Sequence, residues 1–147
     1  MDSFNLSEDI KVVCVTAKHF PEDVERAHIQ LHAMLPEKEK RRFFGISRTN
    51  EQGQIVYKAA ADLIEPGEAE KYGLEMFTIK KGTFNSFYIK NFMEDTSRIR
   101  EAFQILLGQP EVDPLGYCLE WYIGENDVKC MVPLDEKQSH FTGVATE

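Results

Sequence analysis

The sequence predicts an α+β protein in which two helices are each embedded in a β-α-β-β run of antiparallel strands. Three observations predict it. Apolar residues switch from a period of two to the helical period and back, twice along the chain. The second half repeats the order of the first at an offset of 72 residues. Turn-like segments, too short for parallel crossovers, join the last two strands of each run, which favours antiparallel sheets over a wound parallel one.

The elements follow in order. IKVVCVTAKHF (residues 10–20) is rich in valine and sets Val13, Val15 and Ala17 on one face of a strand. Pro21 suits a first helical position, Glu22 and Asp23 complement the positive end of the helix dipole, and Pro36 stops the helix. Between them Val24, Ala27, Leu31, Met34 and Leu35 make one apolar stripe. RRFFGISRT and QIVYKAAADLI read as two strands around the turn NEQG. After the polar connector EPGEAEKYG, the stretch LEMFTIKK is a further strand that would lead into the second unit. That unit consists of GTFNSFYIKNF as strand, MEDTSRIREAFQILL as helix, and YCLEWYIG with DVKCMVPL as a hairpin around Glu125 and Asn126. Asp95 is a candidate N-cap, and Gly108 and Pro110 supply the stop. Sliding by 72 places Phe20 on Phe92, Leu31 on Phe103, and Met34-Leu35 on Leu106-Leu107. The repeats span about 10–63 and 74–134, followed by a tail, 135–147, expected to be mobile.

A chain of 147 residues fits one domain that buries roughly 70% of its unfolded surface. Three cysteines, Cys14, Cys118 and Cys130, have neither a disulfide count nor metal-ligand spacing, and the N-terminus lacks a secretory pattern, so the chain reads as cytoplasmic. Its longest apolar runs are far short of the ~20 residues that span a bilayer. A net charge of −8 repels a phosphate backbone. The one basic cluster, EKEKRR at 37–42, is diluted with glutamate, so no direct nucleic-acid binding is expected.

The residue that stands out is Glu120 in YCLEWYIG. Alternation puts Tyr117, Leu119, Trp121 and Ile123 on one strand face and Cys118, Glu120 and Tyr122 on the other. With a two-residue turn at Glu125-Asn126, Ile123 would face Val128, Trp121 Cys130 and Leu119 Val132, which makes the first face the core. The second face would then set Glu120 across from Met131, Tyr122 across from Lys129 and Cys118 across from Pro133. Phe87 and Ile89 match the core positions Val15 and Ala17, leaving Phe84, Ser86 and Tyr88 on that second surface, with Tyr57 and Phe44 as candidates from the first repeat. Aromatic walls with one placed carboxylate have the composition of a small-molecule site, and suit an organic cation in particular. The same Glu120 also fits a solvent-facing residue paired diagonally with Lys129, a contact worth at most about 1 kcal/mol.

FFGIS (43–47), FTIKKGTF (77–84) and LEWY with VKCMVPL (119–134), in that order and spacing, resemble the GyrI-like family of effector-binding domains. Such domains occur at the end of AraC-type and MerR-type bacterial transcription activators and as free-standing proteins. The resemblance covers about residues 10–134. It implies a pseudo-twofold pair of β-α-β-β units, a central ligand cleft, and a functional glutamate that falls on Glu120, with Tyr122 as the accompanying aromatic. Phe84 stands where tyrosine is common. The DNA-binding segment of the activators is absent from this sequence, so the resemblance implies a stand-alone binder of a small hydrophobic, aromatic or cationic molecule. The ligand-binding candidates are Glu120, Tyr122, Phe84, Tyr88, Met131, Tyr57 and Phe44. Some members resemble hydrolases of small electrophiles, in which Glu120 would serve as general base toward water. An inhibitory protein-interaction module, with a protein partner or a homodimer, is a third class.

No cofactor or metal is expected. His28 and His32 stand four apart on the first helix, but HIQLH lacks a third ligand, so surface or boundary histidines are expected. His19 and His140 have no recognisable partners, and neither a nucleophile elbow nor a phosphate-binding glycine loop occurs.

Overall fold

The computed structural model describes residues 1–135. The expected mobile tail lies, from residue 136 onward, outside the described residues. The fold is α+β, with eight strands and two main helices among the described residues. In chain order the elements are β1 (Asp2–Leu6), β2 (Ile10–Thr16), α1 (Val24–Met34), β3 (Phe43–Thr49), β4 (Ile55–Asp62), the short α2 (Glu68–Tyr72), β5 (Glu75–Ile79), β6 (Gly82–Ile89), α3 (Ser97–Leu107), β7 (Cys118–Ile123) and β8 (Asp127–Pro133). No described helix is long and apolar enough to cross a membrane.

The chain divides into two compact units, Asp9–Lys80 and Met1–Glu8 together with the chain from Lys81 onward. In the first, strands lie antiparallel in the order β3-β4-β2-β5. In the second the order is β7-β8-β6-β1, again antiparallel. Each unit therefore has the same strand order around one helix.

Two elements sit differently from expectation. The strand after the connector does not lead into the second unit. It is β5, and it pairs with β2 of the first unit, Ile79 opposite Ile10. The second unit is completed instead by β1, which the sequence pattern leaves unassigned and which sets Phe4 opposite Phe84. The segment DSFNL is mostly exposed, as suits an edge strand, so little apolar alternation marks it. Helix α1 begins at Val24, later than Pro21, because the chain first turns there, with Val24 N–H bonded to the Pro21 carbonyl and Asp23 accepting from His19 Nδ1 at 2.9 Å.

Each helix covers one sheet face. From α1, Ala27 and Leu31 pack with Leu35 on Val13, Ala59 and Ala61; the small alanine side chains of β4 leave room for the helix to approach. From α3, Ala102 and Leu106 pack on Ile89, Val128, Cys130 and Val132. Leu31 and Leu106 are fully buried, each worth roughly 2 kcal/mol of apolar burial. In these helices the matching buried positions are Ala27 with Ala102 and Leu31 with Leu106, so Leu31 does not match Phe103 as the 72-residue slide expects. In β2 and β6 that slide holds: Val15 and Ala17 pack under α1 as Phe87 and Ile89 pack with the α3 core.

The connector before β5 is tied down by a buried ion pair. Arg41 donates to both Glu68 carboxylate oxygens at 2.8 and 2.6 Å, to the Asp62 carbonyl at 2.7 Å and to the Pro36 carbonyl at 3.0 Å. Glu68 also accepts from Ile64 N–H at 3.0 Å, so both charges are compensated as burial requires. The Arg41 hydrogen bonds hold the Glu68 carboxyl down at about 2.

Candidate functional site

The β7–β8 hairpin decides where Glu120 points. The loop has three residues, Gly124 to Asn126, because Ile123 pairs with Asp127. Gly124 opens it at a φ of 61°, a left-handed conformation that glycine tolerates. The expected two-residue turn is thus corrected by one residue, and every cross-strand partner shifts. Tyr122 lies opposite Val128, Trp121 opposite Lys129, Glu120 opposite Cys130 and Leu119 opposite Met131. Because strand faces alternate, a shift of one exchanges the faces of β8 relative to β7.

Cys118, Glu120 and Tyr122 therefore lie on the helix-covered face. Cys118 and Tyr122 pack against the α3 core, together with Phe87, Phe92 and Phe103. Glu120 is half-buried. The Tyr122 hydroxyl donates a short hydrogen bond to Glu120 Oε1. The Phe92 ring lies 5.7 Å from the Tyr122 ring at 47°, and Phe92 N–H bonds the Asn126 carbonyl at 3.0 Å, which ties that ring to the hairpin loop. Across the strand, the Cys130 thiol is fully buried and pushed well above the ordinary thiol range by burial first, and then by the charges of Glu120 and Cys118. Burial likewise pushes the Cys14 thiol up to about 12. Neither is a nucleophile near neutral pH.

The other expected residues fall elsewhere. Phe84 and Met131 are buried on the opposite face of the same unit, away from α3, in the row that also holds Ser86, Leu119 and Trp121. Tyr88 is on that face too, 44% exposed, with its hydroxyl donating to Asp127 Oδ2 at 2.6 Å. These three cannot share one sheet face with Glu120. In the first unit, Tyr57 lies on the α1-covered face and Phe44 on the other, since Tyr57 alternates with Ala59 and Ala61 while Phe44 pairs with Ala60.

Tyr57 shows a polar feature that periodicity does not reveal. Its hydroxyl is 2.8 Å from His28 Nε2, and Phe20 stacks on its ring at 6.0 Å. A Cβ on Gly45 would fall 2.0 Å from the hydroxyl oxygen, so glycine there is a packing requirement. Burial holds His28 down at about 4, with His32 adding to the effect, so this imidazole is neutral near neutral pH. His32 stacks on Phe43 at 4.1 Å. The i, i+4 histidines thus serve packing and a hydrogen bond, and among the described residues no group of three His, Cys, Asp or Glu could hold a metal ion.

The Glu120–Tyr122 pair offers one carboxylate, oriented by a phenol, on a face shared with the Cys118 and Cys130 thiols and the aromatic rings packed on the α3 core. Such a group attracts a cation or accepts hydrogen bonds from a ligand.

Solved structures share this fold. No protein-family profile matches the chain, and no curated protein matches it in sequence. The structure of SAV2435 bound to tetraphenylphosphonium is similar at a TM-score of 0.65 and 11% identity, over 95% of this chain and 96% of that one. A proposed bacterial transcription regulation protein from Staphylococcus aureus MU50 is similar at 0.56 and 11% identity, over 91% and 97%. A hydrolase from Listeria innocua is similar at 0.54 and 9% identity, over 91% and 90%. At these identities the likeness is one of fold.

Proposed function

We propose that this chain is a small-molecule binding domain of the GyrI-like, transcription-regulator type, and that its ligand is a hydrophobic or aromatic cation engaged by Glu120. The observation that carries the proposal is the half-buried Glu120 carboxylate, held by the Tyr122 hydroxyl within an aromatic-lined face. A lipophilic cation adds an opposite charge beside that carboxylate while burying its own apolar surface. The fold-level neighbours support this choice, since one of them is bound to tetraphenylphosphonium and another is described as a transcription regulation protein. Tyr122 fixes the carboxylate rotamer, which lowers the entropy lost on binding.

Calorimetric titration with tetraphenylphosphonium tests it. Wild type is expected to bind saturably, Glu120→Gln at least tenfold more weakly, a loss of about 1.4 kcal/mol. Equal affinity in the two proteins, or no binding to wild type, overturns the assignment. Assays with small electrophiles separate binding from turnover: product formation that disappears in Glu120→Gln replaces this function with the hydrolytic one, Glu120 then acting as general base.

A further inference from the structure

The sheet face of the second unit away from α3 carries a different arrangement. Phe4 and Trp121 come from β1 and β7, with β6 and β8 between them. The ring centroids are 6.0 Å apart at 89°, a right-angled corner. The corner is occupied. Lys129, projecting from β8, places Nζ 4.1 Å from the Phe4 centroid and 5.4 Å from the Trp121 centroid.

A ring face attracts a cation through its quadrupole, by about 0.5–1 kcal/mol at exposed sites and 2 or more where water is excluded. Two rings at right angles sum that attraction at one point. A primary ammonium is an imperfect occupant, because it is strongly hydrated and sits on a flexible four-carbon stem. A methylated ammonium gives up less hydration and fills the corner with carbon. Lys129 is half-buried at this corner.

From this geometry we infer a second cation site, formed by Phe4 and Trp121, in which a quaternary ammonium ion replaces the Lys129 side chain. Lys129 is the site's internal competitor. The site lies on the opposite sheet face from Glu120 and stands independently of the function proposed above.

Trp121, the single tryptophan of the chain, is the reporter. Its fluorescence is titrated with choline and with 3,3-dimethyl-1-butanol, the uncharged isostere. Wild type is expected to show saturable quenching by choline alone. In Lys129→Met the midpoint should tighten at least tenfold, and in Phe4→Met the signal should weaken at least tenfold. Circular dichroism and melting curves establish that each variant is folded; if Phe4→Met is not, Phe4→Leu takes its place. Four results overturn the site: no saturable quenching in wild type, an equal response to the neutral isostere, a midpoint unaffected by Lys129→Met, or an undiminished signal in the folded Phe4 variant.

Discussion

Single residues carry more of this protein's specificity than their local sequence suggests. Gly45 is set within β3, where glycine ordinarily weakens a strand, yet the Tyr57 hydroxyl occupies the space a Cβ would need. Gly45→Ala is expected to destabilise by about 1–3 kcal/mol, since a buried ring cannot move aside cheaply; urea denaturation measures it. His28 makes a pH prediction. Its folded value of about 4 lies below the ordinary 6.5, so the unfolded chain binds a proton first, and stability falls as pH drops from about 6.5 toward 4. The contribution is of order 2 kcal/mol after discounting for partial exposure. Glu68, also depressed, adds a second loss between about 4.5 and 2, because protonation releases its pairing with Arg41. Denaturation midpoints measured across pH 3–7 should therefore decline in two stages, and His28→Gln should flatten the upper one. A single decline beginning below pH 5 contradicts this assignment.

At the scale of elements, the helices show which face does the stabilising. Leu106 is fully buried against β6 and β8 side chains, whereas its neighbour Leu107 is 53% exposed. Leu106→Ala is expected to cost about 2–5 kcal/mol and Leu107→Ala to stay within about 0.5 kcal/mol, as read from chemical denaturation. Comparable losses at both positions would mean that α3 packs otherwise. The slide of 72 residues was legible in β2 and β6, where Val15 and Ala17 keep their counterparts in Phe87 and Ile89, but it slips by three in the helices. Three residues are nearly one helical turn, so the apolar stripe still points inward and the slip leaves no trace in the pattern. The edge strands were less legible. Polar DSFNL hides β1, and no periodicity states that β5 must turn back onto β2.

For the molecule as a whole, the net charge of −8 and the proposed cation ligand are compatible, since a negative field raises the local concentration of cations. Ligand at 100 times its dissociation constant stabilises the folded state by about 2.7 kcal/mol. In a protein of 147 residues that raises Tm by roughly 5–10 °C. Thermal denaturation with tetraphenylphosphonium at that concentration should show the full rise in wild type and about half of it or less in Glu120→Gln. An equal rise in both would detach the ligand from Glu120.

Sequence by itself determined the fold class, the two helices with their buried stripes, and the fact that Cys118, Glu120 and Tyr122 share one strand face. Tertiary structure decided which side of the sheet that face is. The physical reason is the hairpin: alternation has a period of two and is blind to absolute direction, so one added loop residue at Gly124 exchanges partners across β7 and β8. That one residue separates Glu120 and Tyr122 from Phe84, Tyr88 and Met131, and leaves Trp121 beside Lys129 on the other side.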